Sequence, residues 1–256
     1  MRFKSLGSGS TGNATLVQST GVGKCNVLID CGFGLKHLLL RLKKSGVCPE
    51  DLDAIFITHE HGDHIGCAQV LASKYSIPVW MSAGTAQATS FSHVSDWLRI
   101  AMDAVPIDLG SIQLMPFTVP HDAQAPLQLT CSDGTSKLGV LTDLGHATNY
   151  VLEQMSGCTA VLLECNHNAE LLAASAYPAF LKQRISGGYG HLSNAQSAAV
   201  AVAIKHSKLK HVVAAHLSLQ NNSPDLVRYS LSQALCCDPK EIAIATPSEG
   251  FAWLDA

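Results

Sequence analysis

Residues 54–66 read AIFITHEHGDHIG. The first five are apolar or β-branched and read as a short buried strand. Four metal-ligand side chains follow at its end, His59, His61, Asp63 and His64. On extended backbone, residues two apart face the same side, so His59 and His61 aim together. Gly62 then lets the chain turn, bringing Asp63 and His64 to an adjacent point. Two neighbouring divalent ions fit this order, one for each pair. The alternative is a surface turn that is rich in histidine by chance.

Working outward, three further strand-like runs end in a ligand-type residue: His121 in TVPHDA, Asp143 in GVLTDLGH and His216 in VVAAHLS. Alone, each is as readily a structural residue; together with HEHGDH they describe one site. Consecutive strands come first (RFKSL, NATLVQS, CNVLIDCG), followed by a basic amphipathic helix in GLKHLLLRLKKSG that stops at Gly46. A helix over IGCAQVLASKY, the strand PVWMS and a helical segment near Ser92–Met102 follow. The centre returns to β (SIQLMPFTVPH, PLQLTCSD, KLGVLTD). The last part alternates strands (TAVLLECN, HVVAAHLS, EIAIAT, GFAWLD) with helices over 169–185, 194–206 and 224–236. This order predicts an α/β fold, an αββα four-layer sandwich of two sheets with helices outside. A doubly wound parallel sheet is disfavoured by the early consecutive strands.

The 256 residues are 47% hydrophobic and 14% charged, with a formal charge of −3, a compact globular composition. No linker or low-complexity stretch divides them, so a single domain over 1–256 is expected. The charge argues against a broad basic surface; a polyanion would need a local patch or bound metal. Lysines and arginines gather at Lys36, Arg41, Lys43 and Lys44, and at Lys205, Lys208 and Lys210. These are either solvated helix faces or phosphate contacts at a cleft rim. No apolar run approaches the ~18–20 residues of a membrane span, and MRFKSLGSGS lacks the apolar core of a secretory signal. Nine scattered cysteines without a CxxC pair read as small buried hydrophobes in a reducing cytoplasm.

HEHGDH, His121, Asp143 and His216, in this order, resemble the metallo-β-lactamase-fold hydrolase superfamily across the whole chain. LIDCG, with Asp30, is similar to that superfamily's early acidic strand end, which supports the site from behind. The resemblance implies a first ion on His59, His61 and His121, a second on Asp63, His64 and His216, and Asp143 bridging them. Nitrogen and oxygen donors suit zinc, manganese or iron. The implied nucleophile is a metal-held hydroxide, since water on zinc ionises near a pKa of about 7.

Within the superfamily, the true β-lactamases place a cysteine beside the second metal, and Cys131, Cys158 and Cys165 do not match that position. Thioester hydrolases of the glyoxalase II kind share HxHxDH but lead to no expectation of GHLSN or ECNH. Those stretches resemble the nuclease side, where a glutamate and a histidine pair near the scissile phosphate; the matching residues are Glu164 and His191. The basic arm of the tRNA-processing relatives is missing. LGSGSTGNATLV, HDAQAP, LTDLGHAT, ECNHN, YPAFLKQRISGGYGHLSN and HLSLQNN are similar to the YycJ-like (WalJ/VicX-like) bacterial branch. That likeness implies a metal-dependent nuclease with 5′→3′ exonuclease action on duplex DNA, DNA rather than RNA as partner, no membrane, and either a monomer or a homodimer. Asp63, His191 and Glu164 are the implied catalytic residues. The alternative is a small-molecule hydrolase acting on a cyclic phosphodiester, thioester or lactone.

By its residues alone, His191 in GGYGHLSN could cap a helix, bind metal or act as an acid. With seven ligand positions filled under the resemblance, the acid role leads. Ser8 and Asn13 bound a loop that either cradles an anion or makes a β-turn. Ser193, Asn194 and Asn221 are candidates for substrate contacts or helix caps. His167 and His146 stand beside ligands, facing substrate or supporting the site. Asp122 would orient an imbedded imidazole.

Overall fold

The computed structural model describes residues 1–256 apart from 22, 90 and 92–95. The early run of strands forms one half of the molecule: β1 (Arg2–Gly7), β2 (Ala14–Gln18), β3 (Asn26–Ile29), β4 (Ala54–Phe56), β5 (Val79–Met81) and β6 (Leu98–Ile100). The other half is built from β7 (Ile107–Asp108), β8 (Gln113–Thr118), β9 (Leu127–Ser132), β10 (Lys137–Leu141), β11 (Ala160–Glu164), β12 (His211–Ala215) and β13 (Ala243–Ile244). The last strand, β14 (Leu254–Asp255), returns to pair with β1. Among the described residues these make two seven-stranded sheets, ordered β14-β1-β2-β3-β4-β5-β6 and β13-β12-β11-β10-β9-β8-β7.

Both sheets are mixed. β1, β2 and β3 run antiparallel, and β3 to β6 run parallel. In the second sheet β7 to β10 are antiparallel and β10 to β13 parallel. The parallel strands read as continuous apolar runs because both faces are covered. On β11, Ala160 and Leu162 join the core between the sheets, while Val161 and Leu163 face the outer helices, the period of two expected of a strand.

Three buried clusters result. Phe3, Val17, Val27 and Phe56 of one sheet meet Leu114, Leu129, Val140 and Val213 of the other. Outside the first sheet, Leu28 and Ile55 pack on Leu38 and Leu42 of α1 (Leu35–Lys44), with α2 (Gly62–Ile65), α3 (Ala68–Tyr75) and α4 (Ala83–Ala88) on the same half. Outside the second, Val161 and Ala214 pack on α5 (Asn149–Met155), α8 (Asn194–Ile204) and α9 (Pro224–Leu235). Between α5 and α8 in sequence lie α6 (Ala169–Ala174) and α7 (Ala179–Ser186). This is the expected αββα sandwich.

Three local expectations change. The segment near Ser92–Met102 is not a helix: residues 98–100 are β6, at the sheet edge, and 92–95 lie outside the described residues. The helix over IGCAQVLASKY is two helices, split at Gly66, whose φ is +31°. The sequence reading also passed over α4 and α5. No helix among the described residues is long and apolar enough to cross a membrane.

Candidate active site

The ligand-type residues sit at or just beyond the carboxyl ends of strands. His59 to His64 follow β4, Asp30 follows β3, His121 follows β8, and Asp143 follows β10; Glu164 ends β11, and His216 follows β12. Three donor triads converge, with ligand atoms within 4.8 Å of one another: His59, His61 and His121; Asp63, His64 and His216; and His59, His64 and Asp143. The first two bring together the residues expected around each of two ions, and Asp143 lies near His59 and His64.

Close backbone packing fixes the HEHGDH turn. Asn13 N donates to Asp63 O at 2.8 Å and Cys31 N to His64 O at 2.7 Å. A Cβ on Gly32 would lie 1.7 Å from Asp63 O, so only glycine permits this approach. Asp30 and His216 adopt the left-handed region, φ 61° and 55°, a conformation that neighbours must hold in place. Ser8 Oγ supplies one such restraint, accepting from His216 N at 2.9 Å.

The hydrogen bonds select which imidazole nitrogen faces the centre. His121 Nδ1 donates to Gly190 O at 3.1 Å, leaving Nε2 inward. His64 Nδ1 is 2.8 Å from Asp30 Oδ2, and its Nε2 is 3.2 Å from Asp143 Oδ2. Thr58 Oγ1 lies 3.0 Å from His59 Nδ1 and 3.0 Å from Asp30. His216 Nδ1 meets Thr142 O at 3.0 Å and Asp143 Oδ1 at 2.8 Å, with Nε2 3.5 Å from Asp63 Oδ2.

Burial and neighbouring charge set the protonation. Burial lowers the His59 and His121 pKa values, which keeps both imidazoles neutral and able to donate a lone pair. Burial opposes charge on His64 too, but the carboxylates of Asp143 and Asp30 outweigh it and hold its pKa up to about 10. Burial raises Asp143, yet the charges of His216 and His64 prevail and hold it well below the usual carboxylate range. A divalent ion would supply the same countercharge and displace the imidazole protons.

The residues fit metal. His121 Nε2 and Asp143 Oδ2 are buried and make no hydrogen bond, although His64 Nε2 stands near the carboxylate. Orphaned buried polar atoms are costly, and a cation at the centre satisfies both. The donors are all nitrogen and oxygen. The cysteines are free, and none belongs to a donor group among the described residues; Cys131, Cys158 and Cys165 are buried in the core.

A fourth convergence joins Asp143 and His216 to Glu164 and His191, and the last two are bonded to each other. Glu164 is fully buried. Its Oε2 accepts from Leu144 N and Leu192 N, each at 3.1 Å, and its Oε1 lies 2.6 Å from His191 Nδ1. His191 is part-exposed, and its Nε2 is the nitrogen left for the cleft. Burial disfavours charge on His191, but the Glu164 carboxylate prevails and raises its pKa. The GGYG turn is shaped by contact: a Cβ on Gly190 would lie 2.1 Å from Arg184 O.

A cleft of about 400 Å³ opens over this centre, lined by His61, Asp63, Asp143, His191, Asp122 and Arg184, among others. Asp122 Oδ1 is 3.5 Å from His121 Nε2, and its Oδ2 accepts from Arg184 Nε at 2.5 Å. The residues expected to face substrate lie elsewhere. Ser8 and Asn13 are buried beneath the ligand loop, where Asn13 Nδ2 reaches Asp63 Oδ2 at 3.3 Å. Ser193 caps α8 in a capping box with Gln196. Asn194 exchanges hydrogen bonds with Asn222. His167 and Asn221 are buried, and the cap of α9 is Ser223, not Asn221. His146 is exposed and donates to Gly188 O at 2.8 Å. None of these lines the cleft.

The two basic clusters, Lys36 to Lys44 and Lys205 to Lys210, do not line this cleft either. Lys4, His37, Arg41 and Lys44 line a separate cavity of about 630 Å³ beside α1. That cavity is larger, but among the described residues the converging donor groups lie at the smaller cleft. Lys205 and Lys210 donate to Leu235 O and Ala256 O. Sequence reading passed over Thr58, Gly190 and Arg184. Thr58 reads there as a strand end, and a backbone carbonyl such as that of Gly190 carries no side-chain signal.

The metallo-β-lactamase superfamily profile matches residues 7–127. A Bacillus anthracis protein named exodeoxyribonuclease YycJ is 32% identical over 238 residues, 92% of this chain and 89% of that protein. Exodeoxyribonuclease WalJ of Streptococcus pneumoniae is 32% identical over 239 residues, 91% of this chain and 88% of that protein. Among solved structures, the metallo-β-lactamase-fold protein YhfI from Bacillus subtilis superposes with a TM-score of 0.76 at 16% identity, covering 100% of this chain and 99% of that one. At that identity the likeness speaks for the fold alone. The identity and coverage shared with YycJ and WalJ place the chain in their family, within the metallo-β-lactamase superfamily.

Proposed function

We propose that this metal-dependent hydrolase is a dinuclear phosphodiesterase acting on nucleic acid, with duplex DNA degraded from its 5′ end. The observation that carries the reading is the His191–Glu164 pair, 2.6 Å apart, beside a donor set that is complete without it. The names of the relatives support DNA as substrate.

His59, His61 and His121 would hold one ion, and Asp63, His64 and His216 the other, with Asp143 between them. When bound, zinc or manganese supplies Lewis acidity toward a phosphate oxygen and acidifies a water to serve as nucleophile. The chain's own residues do the rest. Asp30, Thr58 and Gly190 O fix the ring orientations, so the donors are preorganised. Glu164 holds the His191 Nδ1 proton and aims Nε2 at the cleft. His191 Nε2 donates a proton to the leaving oxygen, and the buried Glu164 charge steadies the ring as it does so.

The protein purified with Mn²⁺ or Zn²⁺ is expected to release nucleotides from labelled DNA. Duplex and single-stranded DNA and RNA are assayed in parallel, with S-lactoylglutathione as the small-molecule control. Turnover of the thioester with no cleavage of any nucleic acid would overturn the nuclease reading.

A further inference from the structure

The segment YPAFLKQRISGGYGHLSN contributes more than His191. Tyr177, Leu181, Arg184 and Ile185 all line the cleft; the last three lie on one side of α7, and Tyr177 sits just before its cap, Pro178. Arg184 is the one lysine or arginine among the described residues that line it. Three carboxylates, Asp63, Asp122 and Asp143, line the same space, so an entering phosphate needs a cation placed for it.

Arg184 is so placed. Its Nε donates to Asp122 Oδ2 at 2.5 Å, which fixes the plane of the guanidinium and leaves the two terminal nitrogens for a ligand. Asp122 leans with its other oxygen toward His121 Nε2, at 3.5 Å, and His61 Nε2, at 4.0 Å. The cation therefore stands beside the first donor triad, while the side chain remains 59% exposed. The GGYG turn presses on the end of α7 through Gly190, and His191 N donates to Ile185 O at 2.8 Å. One turn thus sets both the acid and the helix that carries Arg184. Tyr177 adds a half-buried aromatic ring on the same wall.

We propose that the α7 wall is a nucleotide subsite: the Arg184 guanidinium clamps a substrate phosphate through its terminal nitrogens, and the Tyr177 ring receives the attached base. A planar fork matches two phosphate oxygens, which an ammonium cannot do. A base stacks on an aromatic face without regard to its identity, so the wall binds nucleotides of any sequence. The inference rests on the phosphodiesterase reading and assigns the residues that recognise its substrate.

Calorimetric titration of the metal-loaded protein with thymidine 5′-monophosphate and with inorganic phosphate tests it. Arg184→Ala is expected to weaken nucleotide binding at least about tenfold, with metal content equal to wild type. Arg184→Lys recovers only part of the loss. Tyr177→Ala weakens the nucleotide and leaves inorganic phosphate nearly unchanged, whereas Tyr177→Phe keeps both. In steady-state cleavage, Arg184→Ala raises KM by a larger factor than it lowers kcat. Wild-type affinity for the nucleotide in Arg184→Ala, with wild-type DNA cleavage intact, overturns the clamp and leaves the nuclease reading standing. An equal loss of both ligands in Tyr177→Ala overturns the stacking assignment. Failure of the wild type both to bind the nucleotide and to cleave DNA overturns the nuclease reading and the subsite with it.

Discussion

Asp143 shares a donor group with His59 of the first triad and His64 of the second. It is fully enclosed, it pairs with His64 and His216, and its Oδ2 makes no hydrogen bond. Asp143→Asn keeps the shape but removes the charge and puts an amide where a ligand oxygen would stand. We expect it to hold less than half of the wild-type metal by elemental analysis while retaining its fold by circular dichroism; full metal content would contradict the bridging role. Most of this centre was legible from residue type and position after a strand. Of its supports Asp30 was legible, while Ser8, Thr58 and the Gly190 carbonyl were not. The Ser8–Asn13 loop read as either an anion cradle or a β-turn, because the spacing of small residues does not say which way a loop faces. The fold turns that loop under the ligands, where Ser8 Oγ accepts from His216 N.

At the scale of elements, apolar periodicity located the long strands, because each carries alternating or continuous apolar runs bounded by turn residues. It failed where an element is short or its signal lies in a cap. β6 spans Leu98–Ile100, with Arg99 and Ile100 exposed at the sheet edge, and three residues show no period. α5 begins at Thr148, whose side chain accepts from Val151 N, and buries Val151 and Met155. That i, i+4 pair is too brief to stand out from the strands around it. Thr148→Ala removes this cap and is expected to cost about 1 kcal/mol, read as a lower urea midpoint at unchanged m-value. An unchanged midpoint would show that packing alone holds α5.

Across the whole molecule, the layer order followed from the order of elements, and the shared core explains why. Leu129 of the second sheet packs in the same cluster as Phe3 and Phe56 of the first. Neither half can expose that cluster alone without losing its inner face, so we propose that residues 1–256 unfold as one unit. Leu129→Ala is expected to destabilise by roughly 2–5 kcal/mol and to shift one cooperative transition. Two separate transitions in the chelated protein would show that the halves are independent. Chelation itself should lower Tm, since metal binds the assembled strand ends and not the unfolded chain.

We propose that the metal-loaded cleft cleaves phosphodiesters with His191 as proton donor rather than ligand. The most direct test is the rate of nucleotide release from end-labelled duplex DNA by wild type and His191→Ala, with metal content measured on the same samples. Equal metal in both and a fall in kcat of at least about 10²-fold in the variant are expected. Loss of metal in His191→Ala, or an unchanged rate, would contradict the proposal.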